Sequence, residues 1–280
     1  MFQKLSNSWA LVKASAQVLN ADKELLIFPA ISSIALLLVS ATFFLPLALV
    51  GGAFELASEG GGILAYLGLF VFYVVQYTVI FFFNSALVGA AMIRLEGGDP
   101  TVSDGLRIAW KHLGSIVGYA LIAATVGMFL KAAKERSGGI GKLVISLVGM
   151  AWNLATFLVV PVLVTRSVGP IEAIKQSAGI LKKTWGEQVV GNAGIGFVFI
   201  FLFFGTGLFF IPTIIIAGST GSPVIIGAVI ASFVLICMGL ALVNATLSGI
   251  YQAALYRFAT VGDAGQFDRN LLNDAFQPKG

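Results

Sequence analysis

The chain has 280 residues, 58% hydrophobic and 11% charged, with a mean hydropathy of +0.95. A soluble domain carries about 25% charged residues, so a soluble globular fold is excluded. One Cys and one His exclude a disulfide scaffold and a zinc site built from His and Cys, and with them most nucleophilic and acid–base catalysis. No cofactor-binding motif is present either. The net charge of +4 suits an acidic partner. In a chain this apolar that partner is a layer of anionic lipid headgroups, not nucleic acid.

In chain order, six apolar runs hold none of the charged residues: about 25–50, 62–93, 113–130, 143–165, 189–217 and 224–256. Each reaches the roughly 18 residues that span a hydrocarbon core of about 30 Å as a helix. The third run is the shortest, bounded by His112 and Lys131. Residues 1–260 read as one polytopic membrane domain and 261–280 as a polar tail. The first 24 residues contain Lys4, Lys13, Asp22, Lys23 and Glu24 and do not read as a cleaved leader.

The segments between the runs are patterned. Leu5, Trp9, Val12 and Ala16 lie on one helical stripe, and Leu106, Trp110, Leu113 and Val117 repeat those offsets. Ile174, Ala178, Leu181 and Trp185 repeat them again, and lysine or arginine flanks every stripe. Such helices suit the membrane interface. Each precedes a pair of runs, and each pair closes on an arginine: Arg94, Arg166 and Arg257. The expected fold is therefore an all-α membrane protein of six transmembrane helices in three hairpins. A cytoplasmic amphipathic interfacial helix precedes each hairpin, and the three units form an internal repeat. Trp9, Trp110, Trp185 and the three arginines are its interface anchors.

Thirteen of the 17 Lys and Arg fall on one side of this topology, which places both termini in the cytoplasm. The exception is 131–142, with Lys131, Lys134, Arg136 and Lys142. It reads as a solvated turn or as a basic vestibule for anions and headgroups. On the cytoplasmic side, Lys175, Lys182 and Lys183 are further candidates for lipid or anion binding.

At 152–157 (Trp-Asn-Leu-Ala-Thr-Phe), 160–163 (Val-Pro-Val-Leu), 169–177 (Gly-Pro-Ile-Glu-Ala-Ile-Lys-Gln-Ser) and 184–187 (Thr-Trp-Gly-Glu) the chain resembles an uncharacterised family of bacterial six-helix integral membrane proteins. The turn at 97–100 (Gly-Gly-Asp-Pro) and the opening Ser8-Trp9 are similar too. The resemblance implies a multi-pass protein of the bacterial cytoplasmic membrane and brings no activity or functional residues with it.

Within the runs, Asn84, Asn153, Asn192, Asn244 and Gln76 are either interhelical hydrogen-bonding pairs or the lining of a polar path. Pro46, Pro161 and Pro212, with Gly205 and Gly207, are either tolerated bends or hinges. The phenylalanines of the fifth run are lipid-facing surface or a constriction. No carboxylate lies inside a run to couple transport to protons or sodium. Two functions remain: a passive, channel-like or transport-type oligomer, and a non-transporting scaffold whose amphipathic helices bind anionic lipid or a partner protein. An enzyme is not expected.

Overall fold

The computed structural model describes residues 2–49, 63–185 and 195–263, together with 265, 267 and 272. Side chains are described for 9–46, 66–184, 198–263 and those last three positions. The described chain is helical, in the order α1 (Phe2–Ala21), a 3-10 turn at Lys23–Leu26, α2 (Ile27–Leu49), α3 (Ile63–Leu95) and α4 (Val102–Lys111). There follow α5 (Leu113–Arg136), α6 (Gly139–Ala155), α7 (Val159–Thr165), α8 (Pro170–Trp185), α9 (Ile195–Ser219) and α10 (Pro223–Val261). Among the described residues, six stretches are long and apolar enough to cross a membrane: Lys23–Pro46, Tyr66–Leu95, Leu113–Arg136, Gly139–Thr165, Val198–Ser219 and Pro223–Val261.

Two of these differ from the sequence expectation. The third is longer: α5 runs on to Arg136, because Lys131, Lys134 and Arg136 continue the helix instead of opening a loop. Lys134 and Arg136 lie in its last turn, where cations complement the carbonyl end of the helix dipole. The segment 131–142 is thus mostly helix, with Lys142 in the first turn of α6. The fourth span is broken at 156–158, three residues before Pro161 (the proline that the sequence suggests as the bend). Pro161 is the third residue of α7, where its missing N–H would have had no intrahelical partner. The break is held from outside: the buried Leu158 N–H donates to Ser177 Oγ of α8 at 3.0 Å. By contrast α2 continues through Pro46, and α9 continues through Gly205, Gly207 and Pro212.

Toward the far end of α9 only Phe210 and Ala217 are buried among the described residues; burial is concentrated at the end of the molecule that carries Arg94, Arg166 and Arg257. There α3, α7 and α10 meet through Ala90, Ala91, Val162, Leu163, Ile250, Ala253, Ala254 and Leu255, all essentially without solvent exposure. Beyond it the helices spread. No residue of 31–46, 66–84, 125–155 or 223–245 is buried. In that half α2 stays with α3 through Phe43 and Phe44 against Phe72, and α9 stays with α10 through Phe210 against Phe233. At 39 residues α10 is about 58 Å long, so part of it overhangs a hydrocarbon core of about 30 Å.

Helices α1, α4 and α8 dock at the compact end, α4 along α3, α8 along α7, and α1 along α9 and α10. Their inward faces are one residue out of step with the bulky stripes read from the sequence. In α4 the inward positions are Gly105, Ala109 and then His112 and Ile116; in α8 they are Ala173 and Ser177. In α1 they include Leu11, Ser15 and Val18. Small residues let the backbones approach: a Cβ at Gly105 would lie 2.5 Å from Phe28 Cζ and 2.7 Å from the Ala86 carbonyl oxygen. The neighbouring bulky stripe is left outside, with Trp9 58% and Trp110 63% exposed. In α8 the division is less clean, since Leu181 of the stripe is buried. The Trp185 side chain lies outside the described residues.

The tail is not wholly a solvated appendage. Phe267 and Leu272 are buried in the core, and Gly265, at φ +59°, passes so close to Leu95 that a Cβ would sit 2.9 Å from its carbonyl oxygen.

Candidate functional site

The polar residues of the spans fall into separate groups. Gln76 bridges α3 to α2, its Nε2 donating to Ser40 Oγ at 2.8 Å. Asn153 is exposed on α6. Asn192 lies outside the described residues. Asn84 and Asn244 come together, on facing sides of a cavity of about 320 Å³ between α2, α3 and α10.

The cavity follows from helical spacing. Asn244, Ser248 and Gln252 lie at i, i+4 and i+8, which stacks them on one face of α10. Ile80, Asn84 and Leu87 share a face of α3, and Pro29 and Ser32 come from the first turns of α2. Gly249 keeps α10 close to α3 at the cavity wall: a Cβ there would meet Leu87 Cδ2 at 2.5 Å and Asn84 Oδ1 at 3.5 Å. Among the described residues, no ionisable side chain lines the cavity. Asn244 Oδ1 and Gln252 Oε1 are buried without a hydrogen-bond partner. A buried amide oxygen left unpaired costs about 1–3 kcal/mol. Gln252, Ser32 and Ser248 are absent from the sequence-derived candidates; the i, i+4, i+8 spacing of 244, 248 and 252 is the signal that finds the α10 pair.

The closing arginines form a second group. After α3 and α10 the chain turns on a left-handed glycine, Gly97 at φ +88° and Gly262 at φ +74°. An aspartate just beyond then pairs back: Arg94 with Asp99 at 3.2 Å, and Arg257 with Asp263 at 2.6 Å. Arg257 also reaches Glu96 at 3.5 Å, tying the ends of α3 and α10 together. Arg94 Nη2 donates to the Ala21 carbonyl at the end of α1. Arg166 differs. Its Nε donates to Tyr256 Oη at 3.0 Å and its Nη1 to Gln176 Oε1. Beside this group Asp22 caps the 3-10 turn, Oδ1 accepting from the Glu24 N–H, while Oδ2 is buried unpartnered. Burial pushes its carboxyl above the ordinary 3.8, against the pull of that hydrogen bond and of Arg94.

Thr101 and Asp104 form a reciprocal capping box at the start of α4. The Thr101 hydroxyl and N–H bonds hold the Asp104 carboxyl below its ordinary value. His112, between α4 and α5, lines a smaller hollow of about 220 Å³ with Lys111 and Ser115. Burial and then Lys111 lower its affinity for a proton. The basic side chains Lys131, Lys134, Arg136, Lys142, Lys175, Lys182 and Lys183 are exposed. Among the described residues, no group of three His, Cys, Asp or Glu side chains is placed to hold a metal.

Six apolar spans, in a chain whose described residues are helical, define a multi-pass membrane protein. The chain belongs to DUF6159, a family of unknown function, whose model matches residues 63–267, from the start of α3 to just past α10. No curated protein and no solved structure matches it.

Proposed function

We propose that the protein is a passive, uncoupled transport-type protein of the bacterial cytoplasmic membrane, with both termini in the cytoplasm and acting as a homo-oligomer. The observation that carries this reading is the α2–α3–α10 cavity, a hollow among membrane helices lined by the polar side chains of Ser32, Asn84, Asn244, Ser248 and Gln252. A span keeps such groups where they meet a passing or bound polar molecule. The charge-free apolar runs favour movement down a gradient, since proton or sodium coupling normally needs an intramembrane carboxylate. The contacts of Ala90, Ala91, Leu163, Ala253 and Ala254 fill the axis of the compact end. On this reading the route follows the flank where α2, α3 and α10 meet, and the neighbouring subunit completes it. Shrinkage and recovery of vesicles containing the purified protein, after a step of external glycerol, tests it. Recovery faster than in empty vesicles is expected; identical traces refute transport of small neutral solutes.

A second reading has its own observation. Trp9, Trp110 and Ile171 are exposed on the three docked helices, and Lys13, Lys111 and Lys175 are exposed beside them. Bulky apolar groups among cations favour an interfacial scaffold that gathers anionic lipid. Anionic vesicles should then raise the thermal stability of the reconstituted protein above that in phosphatidylcholine. Salt should remove the difference. Replacing Lys175, Lys182 and Lys183 with Gln should reduce it, and an unchanged difference sinks the scaffold reading.

A further inference from the structure

We infer that the α2–α3–α10 cavity is a binding site for a neutral amphiphile whose polar group carries hydroxyls, entering sideways from the bilayer. The inference names the class of molecule met by the surface proposed above and rests on that reading. Its first support is the lining: among the described residues, five side chains with hydrogen-bonding capacity, Ser32, Asn84, Asn244, Ser248 and Gln252, and no charged group. An anionic headgroup in a site without a cation would be desolvated and unpaired, which is strongly unfavourable. The nearest arginine along α10, Arg257, is already engaged by Asp263 and Glu96.

The second support is chemical. A side-chain amide presents one accepting and one donating end, and a hydroxyl both donates and accepts. A polyol or glycerol headgroup therefore suits a site lined by Asn84, Asn244 and Gln252, since a hydroxyl can pair with whichever end of an amide faces it. A volume of about 320 Å³ falls at the lower end of small-ligand sites; it suits a headgroup and not a whole lipid.

The third support is position. The cavity lies where the spread halves of α2, α3 and α10 join the compact end. Gln252 is five residues from Arg257 and Asn244 thirteen, about 7 and 20 Å along the helix. On the side away from Arg257, Ile31, Ile34 and Ile80 present exposed apolar surface on α2 and α3. A molecule lying across this junction has its polar group among the amides and its chain along those isoleucines. That is the division of an amphiphile.

The test uses the full chain in phosphatidylcholine nanodiscs, with Cys237→Ala and Ser248→Cys to place a single thiol in the cavity. N-ethylmaleimide labelling of this thiol is timed with added 1-monooleoylglycerol, oleate or methyl oleate. The glyceride should slow labelling about tenfold, corresponding to about 1.4 kcal/mol, and the other two should not. Asn244→Leu with Gln252→Leu should abolish that protection. Their side-chain oxygens have no partner to lose, so the fold should tolerate the change. Should the double variant fail to fold, Ser32→Leu, which fills the cavity from the α2 side, takes its place and should also abolish protection. Equal protection by methyl oleate makes the cavity a merely apolar slot and overturns the inference, as does equal protection by oleate. Absence of protection by the glyceride overturns it too and leaves a water-filled hollow. The glycerol vesicle assay separates the two proposals. Flux without protection removes this ligand and keeps transport, whereas protection without flux removes transport and keeps the site.

Discussion

Gly105, Ser177 and His112 show how much of this molecule turns on single atoms. A methyl added at Gly105 points at the Ala86 carbonyl oxygen at 2.7 Å, and a backbone oxygen cannot swing aside as a side chain can. Gly105→Ala should therefore destabilise by about 1–3 kcal/mol despite alanine's better helix propensity, as a lower melting temperature in detergent would show. Ser177→Ala removes the acceptor of a buried N–H at the break between α6 and α7 and should cost about 1–3 kcal/mol. Ser177→Thr, which keeps the hydroxyl, should recover part of the loss. His112 has the opposite preference to a salt-bridged histidine: its folded form disfavours the proton. Between the ordinary value of 6.5 and its lowered folded value the unfolded chain binds more protons, so stability falls as pH drops through that window. His112→Gln should flatten this part of a melting-temperature profile against pH. Asp22 has the other sign: its raised carboxyl makes stability decline as pH rises past 3.8, and Asp22→Asn should stabilise at neutral pH while retaining an acceptor for the Glu24 N–H.

At the scale of the element, the docked helices separate two tasks that a simple amphipathic stripe would merge. Gly105, Ala109, Ala173 and Ser177 fit α4 and α8 against the bundle, while Trp9 and Trp110 remain outside. Trp110 keeps one edge on Phe82, at 5.1 Å between ring centroids, so its position is defined even though it is exposed. Lipids brominated near the headgroup should quench a protein that retains only Trp110 more strongly than lipids brominated near the chain end. The reverse order would place α4 away from the interface. The broken fourth span makes a related point. Thr156 turns its hydroxyl back onto the Trp152 carbonyl at 2.8 Å, and Ser177 takes up the Leu158 N–H, so the interruption leaves neither backbone group stranded.

For the whole molecule, the compact end and the spread half have different consequences. The meeting of α3, α7 and α10 is dry and dense, with Leu163, Ile250 and Leu255 fully enclosed, so truncation there should be severe. Leu163→Ala should cost about 2–5 kcal/mol, whereas Leu147→Ala, on the exposed face of α6, should stay within about 0.5 kcal/mol. Comparative unfolding in one detergent would check both. If transport proceeds along α2, α3 and α10, uncouplers and removal of sodium should leave its rate unchanged, because no carboxylate lies within the apolar runs. Sensitivity to either in the vesicle assay would refute the uncoupled mechanism.

What the chain determines by itself is where helices cross and where charge lies. Uninterrupted apolar length leaves backbone groups no alternative to intrahelical pairing, so the spans near 25–50, 62–93, 189–217 and 224–256 agree with α2, α3, α9 and α10 to within a few residues wherever the structure describes them. Helical spacing likewise contains the polar stripe of 244, 248 and 252. Tertiary structure decides what periodicity cannot: which of two adjacent apolar stripes turns inward, that a serine nineteen residues downstream supports the break at Leu158, and that Asn84 and Asn244 line one cavity while Asn153 does not. Those outcomes depend on pairings between distant helices, and a one-dimensional pattern specifies the face of a helix but not its neighbour. Low charge put this protein in a membrane; the junction of α2, α3 and α10 gave its few polar groups a common place.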